Sequence, residues 1–165
     1  MVVDPIMPGI FVGLKVHPQD ATTLRAFVQG HGFDPLPADD LHMTIFRSKT
    51  GDFDFSKVEL DTIELTCATR RQLRYFSMRD VVKAPCISLQ LGVDLYDLRG
   101  KILTEIAAAR ISSGDTRLKY EFRPHVTLSF QNCHRIRRVP VPVSKIRFAG
   151  LIVNACNEDW YKQFL

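Results

Sequence analysis

LHMTIF at residues 41–46 and PHVTLSF at residues 124–130 carry one motif twice, His42-Met43-Thr44-Ile45 and His125-Val126-Thr127-Leu128. The chain has 5 histidines and 10 threonines among 165 residues, a composition that predicts about 0.3 His-x-Thr triplets. Both copies sit in apolar runs that read as strands. Because a strand repeats every two residues, His42, Thr44 and Phe46 are expected on one face and Met43 and Ile45 on the other. The second copy sets His125, Thr127 and Ser129 against Val126, Leu128 and Phe130. Each motif therefore offers a titratable ring and a hydroxyl on one face of a strand whose reverse can be buried.

A single histidine beside core positions is ordinarily a hydrogen-bonded structural residue. Two of them, each next to a small hydroxyl, match what cleavage of a phosphodiester needs when no metal takes part. One imidazole accepts a proton from the attacking oxygen and the other protonates the leaving oxygen. His42, Thr44, His125 and Thr127 are the candidate catalytic residues, with the threonines donating to the non-bridging phosphate oxygens.

Working outward from the motifs, the order strand, helix, motif strand occurs twice. Gly9 to Val16 reads as a strand and Pro18 to about Gly30 as a helix with its apolar stripe at Ala21, Leu24, Phe27 and Val28. Gly30 and Gly32 end that helix. A turn over Pro35 to Asp40 leads into the first motif, and the polar stretch from Arg47 to Lys57 is expected to be a loop over the site. Strands follow at about Val58 to Ala68 and Gln72 to Phe76.

The second half repeats the scheme. Pro85 to Leu91 is a strand, Asp94 to about Ile111 a helix with Leu95, Leu98, Ile102 and Ile106 on one stripe, and Ser112-Ser113-Gly114 its stop. Pro124 holds Arg123 extended ahead of the second motif. Pro140 and Pro142 punctuate the next connection, and Ile146 to Val153 is the last strand. This predicts one α+β domain over residues 1–165, built as two pseudo-symmetric lobes of antiparallel sheet with flanking helices. The active cleft is expected between the lobes.

Composition agrees with a folded enzyme of modest charge. The chain is 45% hydrophobic and 24% charged, with net charge +4 and pI about 9.0. That suits a small anionic ligand better than a long polyanion. The clusters Arg70, Arg71, Arg74, Arg79 and Arg135, Arg137, Arg138 read as solvated faces. Cys67, Cys86, Cys133 and Cys156 lack any C-x-x-C spacing, so reduced thiols are expected, with neither a zinc site nor a disulfide framework. Cys133-His134 has no partners at ligand spacing. Neither a membrane span nor a signal peptide is legible, which places the expected location in the cytoplasm.

The paired H-x-T-apolar tetrads resemble those of the 2H phosphoesterase superfamily, which includes RNA 2′,3′-cyclic and 2′,5′ phosphodiesterases. The flanks MPGIFVGLKV, PLPADDLHMTIF, FRPHVTLSF and KIRFAGL, with the late Trp160, are similar to phage anti-CBASS nucleases, which degrade cyclic di- and trinucleotide messengers of the host. One departure is visible: where those relatives carry a carboxylate six residues before the tryptophan, this chain has Asn154. The resemblance implies attack by a ribose 2′-hydroxyl on a 3′,5′ linkage, no metal or other cofactor, and a cyclic oligonucleotide as the partner. Bases need flat contacts, for which Trp160, Phe11 and Tyr161 are candidates; Asn154 is a candidate substrate contact. The alternatives are an RNA 2′,3′-cyclic or 2′,5′ phosphodiesterase and a nucleotide-binding module without catalysis. Oligomeric state is not legible.

Overall fold

Ile10, Val12, Leu14 and Val16 are each at most 1% exposed, and the residues between them face the other way. This alternation sets the frame of the molecule. It lies in a computed structural model that describes residues 6–58, 63–78, 82–111, 122–130 and 139–154. Strand β1 (Ile6–Val16) is followed by helix α1 (Pro18–Gly30), β2 (His42–Asp54), β3 (Glu64–Ala68), β4 (Arg74–Met78), β5 (Val82–Ser88), helix α2 (Val93–Ala109), β6 (His125–Thr127) and β7 (Lys145–Asn154). Short 3-10 turns at Ala38–Asp40 and Phe55–Lys57 flank β2.

Among the described residues the strands form one antiparallel sheet in the order β3-β7-β1-β2-β6-β5-β4. The repeated units are β1-α1-β2 and β5-α2-β6, and their motif strands meet at the centre. The seam is narrow, because β2 and β6 share the single register pair Met43↔Val126. The two expected lobes are thus two halves of a continuous sheet. Ala21, Leu24 and Val28 of α1 and Leu95, Ile102 and Ile106 of α2 join Ile10, Val12, Leu14, Met43, Ile87 and Val126 in one apolar cluster. Both helices therefore cover the same face of the sheet, and the opposite face carries the histidines.

Local chemistry explains the ends of α1. Pro18 sits in its first turn, and His17 caps it by accepting at Nδ1 from the Gln19 amide at 3.2 Å. At the other end Gly32 adopts φ +81, and the Phe33 amide donates to Val28 O at 3.1 Å. Asp20 ties the helix to β7 by accepting from the Arg147 amide at 2.8 Å and from its guanidinium at 3.1 and 3.3 Å. Burial pushes the Asp20 carboxyl up, but the hydrogen bonds and charge of Arg147 prevail and hold it below its ordinary value.

Four expectations need correction. Residues 47–54 are not a loop over the site, because β2 stays paired with β1 as far as Ile6↔Asp54. Their periodicity is hidden by irregular pairing between Pro8/Ile10 and Asp52/Ser48, where Gly9 (φ 67) and Gly51 (φ 90) absorb the bend. Phe46 does not share the face of His42. It packs against the core because pairing steps from Gly13↔Thr44 to Val12↔Phe46 and leaves Ile45 as an added residue. Ser129 is fully buried, and Phe130 lines the site cavity as well as packing on the core, because β6 ends at Thr127 and strand alternation does not extend past it. The strand expected from Val58 begins at Glu64, after the 3-10 turn.

Candidate active site

Both motif strands are introduced by the same backbone arrangement. The Val16 amide donates to Leu41 O at 3.0 Å, and the Leu89 amide donates to Pro124 O at 2.9 Å. Each bond anchors the residue just before a histidine to the end of the first strand of its own repeat. One residue further back, the carbonyl turns toward the ring. His42 Nδ1 lies 2.7 Å from Asp40 O, and His125 Nδ1 lies 2.8 Å from Arg123 O. A carbonyl oxygen can only accept, so in both rings Nδ1 carries the hydrogen and Nε2 is the nitrogen that exchanges a proton.

Continuing the Met43↔Val126 register by one residue either way sets His42 opposite Thr127 and Thr44 opposite His125. All four side chains are partly buried and lie on the face away from the helices. Their reverse faces are closed: Met43 and Val126 are 0% exposed, and Ile45 and Leu128 at most 3%. Burial lowers the pKa of His42 from its ordinary value. The hydrogen bond to Asp40 O and the Asp40 charge oppose that shift, and the charge of His125 adds to it.

Beside His42 the site opens into a cavity of about 180 Å³ lined by Phe11, Leu36, Asp39, Asp40, His42, Phe130, Ile152 and Asn154. Phe11 meets His42 edge to face, with centroids 5.3 Å apart and planes at 86°. Its ring rests over Gly13, where an added Cβ would lie 3.0 Å from Phe11 Cζ. Lys15 reaches Asp39 at 2.7 Å, and that contact lowers the Asp39 pKa. A second cavity, about 200 Å³, lies between β3 and the start of α2 and contains neither histidine. It includes Cys67, whose thiol burial pushes up to about 11.

Of the residues singled out from sequence, Phe11, His42 and Asn154 line one cavity, while Thr44, His125 and Thr127 share the sheet face but do not line it. Trp160, Tyr161, Cys133, His134 and Cys156, with Arg79 and the arginines at 135, 137 and 138, lie outside the described residues; so do Ser112-Ser113-Gly114. Arg70, Arg71 and Arg74 are exposed. Sequence reasoning missed Leu36, Asp39, Asp40 and Ile152 as cavity residues. Asp40 had a signal, since it stands two residues before His42 as Arg123 stands before His125. Among the described residues no three His, Cys, Asp or Glu side chains gather to hold a metal ion, and no helix is long and apolar enough to cross a membrane.

One antiparallel α+β sheet with two strand-helix-strand repeats is a fold that this chain shares with LigT of E. coli. LigT of E. coli, solved with 3′-AMP, matches at TM-score 0.58 and 16% identity over 89% of this chain and 87% of that one. TT0787 of Thermus thermophilus matches at 0.59 and 14% over 88% and 86%. A structure described as a phosphoesterase matches at 0.58 and 14% over 89% and 87%. No protein-family model and no curated protein sequence matches the chain.

Proposed function

We propose that the chain is a phosphodiesterase with a two-histidine mechanism, acting on 3′,5′ linkages of cyclic di- and trinucleotides. The observation that carries this reading is the doubled Nδ1-to-carbonyl arrangement, which presents two Nε2 atoms on one sheet face beside two threonines. His42, held neutral by burial, takes the proton from the ribose 2′-hydroxyl next to the scissile phosphate. That oxygen attacks phosphorus, and His125 protonates the departing 5′ oxygen. Thr44 and Thr127 donate to the non-bridging oxygens as charge builds there. A 2′,3′-cyclic phosphate results, and with the imidazole roles exchanged water opens it to a phosphomonoester. The nucleophile belongs to the substrate, so positioning supplies much of the rate and the chemistry needs no metal.

The cavity supports a nucleoside ligand. The Phe11 ring offers a flat contact, Asn154 an amide, and Asp39 and Asp40 acceptors for exocyclic amines. Trp160 remains a proposed second stacking surface. E. coli LigT, solved with 3′-AMP, ATP and NADP+, shows that this fold accommodates nucleotides. On this reading the protein lowers the concentration of a bacterial antiviral messenger, as the resemblance to anti-CBASS nucleases implies. A second reading, processing of RNA ends, is favoured by the LigT complex with 3′-AMP, because that compound is a product of opening a 2′,3′-cyclic phosphate.

Incubation with cyclic dinucleotides and their 2′-deoxy analogues in excess EDTA tests the proposal. Cleavage of the ribo rings and none of the deoxy rings is expected. Equal cleavage of both refutes attack by the 2′-hydroxyl, and loss of activity in EDTA with recovery on adding a divalent ion refutes the metal-free step. Opening of 2′,3′-cyclic nucleotides without cleavage of any ring selects the RNA-end reading. Binding without turnover leaves a nucleotide-binding module.

A further inference from the structure

Strict alternation along the motif strands would put positions 46 and 129 beside the histidines and positions 47 and 130 in the core. The first repeat does the opposite. In the first, Ile45 is 3% exposed and Phe46 packs on the core, and the next residue, Arg47, pairs with Phe11. Phe11 lines the cavity, and its other partner across the sheet, Asn154, lines it too. Arg47 therefore belongs to the face of His42 and Thr44. In the second repeat Leu128 is 1% and Ser129 0% exposed, and Phe130 packs on the core while also lining the cavity. The fifth residue after the histidine is thus an arginine on the open face in the first half, where the second half has a phenylalanine.

The added residue in β2 also sets how far Arg47 stands from the threonine. Measured along β1, Arg47 (opposite Phe11) lies two positions beyond Thr44 (opposite Gly13), or about 7 Å at strand rise. A side chain rooted there starts about one nucleotide step along the strand from the threonine that would hold the scissile phosphate, and the planar fork of an arginine matches a phosphate's oxygens. We propose that Arg47 binds a second, non-scissile phosphate, so that the site selects nucleotides carrying two phosphates over those carrying one. The inference rests on the phosphodiesterase reading and gives it a specificity determinant.

Three substrates separate the possibilities: cyclic di-3′,5′-adenylate, linear ApA with one phosphate, and pApA with a second phosphate on its 5′ end. The wild-type protein is expected to favour both two-phosphate substrates. Arg47→Gln should lower kcat/KM on them by about ten- to a hundredfold, the loss of a charged hydrogen bond, mainly through KM. ApA should be little affected, so the preference collapses, and Arg47→Lys should fall between. Loss on the ring alone assigns Arg47 to cyclic substrates, and loss on pApA alone to linear ones. Equal losses on all three, or a wild-type protein indifferent to the second phosphate, overturn the role of Arg47 and leave the phosphodiesterase reading standing. A folded wild-type protein that cuts none of the three overturns that reading itself. Thermal unfolding of each variant shows whether the fold is retained.

Discussion

Gly13→Ala perturbs the site through a single carbon. Gly13 sits in β1 opposite Thr44, and its backbone is outside the left-handed region, so alanine meets no torsional obstacle. The obstacle is contact. The new Cβ would lie 3.0 Å from Phe11 Cζ, 3.2 Å from Cε1 and 3.3 Å from Met43 O. The carbonyl is held in the sheet, so the ring must move, and it moves away from a stack in which it already meets His42 at 5.3 Å. Overpacking of this kind costs about 1–3 kcal/mol, offset by about 0.4–1 kcal/mol from the stiffer unfolded chain. We expect a net loss of about 1–2 kcal/mol, read as a Tm drop of roughly 2–8 °C for a chain of this size. Substrate KM should rise, because the displaced ring enters the cavity. Phe11→Ala removes the obstacle, so Gly13→Ala should cost less in that background, with a coupling of about 1 kcal/mol in a double-mutant cycle. The same cost in both backgrounds would show that the carbonyl, not the ring, occupies the space, and would refute the claim that Gly13 seats Phe11.

His42→Ala and His125→Ala should each reduce turnover at least about 10²–10⁴-fold, measured by product chromatography, with far-UV circular dichroism unchanged; near wild-type turnover in either refutes the mechanism. The pH profile of kcat/KM should be bell-shaped, and its acidic limb should fall below the ordinary histidine range because burial keeps His42 neutral. The same lowered pKa predicts that stability is fully present above about pH 6.5 and declines below it, as the unfolded chain takes up the proton first. Urea unfolding at several pH values should show that slope in the wild type and a shallower one in His42→Asn. Asp20→Asn, which removes the charge facing Arg147 but keeps an acceptor for its amide, should lower Tm slightly and leave kcat unchanged.

Much of the architecture is legible because the apolar periodicities are strong. The α1 stripe Ala21, Leu24 and Val28 and the α2 stripe Leu95, Ile102 and Ile106 are buried as the 3.6-residue pattern requires. Alternation at Met43/Ile45 and Val126 likewise reads through to burial. What is not legible is where pairing slips. Nothing in MTIFR announces that Ile45 is the added residue, since its register depends on β1, and that one slip moves Phe46 into the core and Arg47 out of it. Residues 47–54 look polar, yet Ser48 and Phe53 are buried, and only partner strands reveal it. Asp39 and Ile152 reach the cavity from segments remote in sequence from each other, a convergence fixed by the sheet order and not by local pattern.

The group that orients each imidazole is a main-chain carbonyl, Asp40 O in one half and Arg123 O in the other. A substitution can change the side chain at position 40 or 123, but it cannot delete the oxygen. Tautomer choice is therefore shielded from point mutation, unlike in a site where a carboxylate side chain performs that task. The side chains there differ in sign of charge, aspartate in one repeat and arginine in the other, while the carbonyl does the same work in both. Heritable tuning of this site must accordingly come from the surroundings of the rings, while the direction in which each ring points is inherited with the backbone itself.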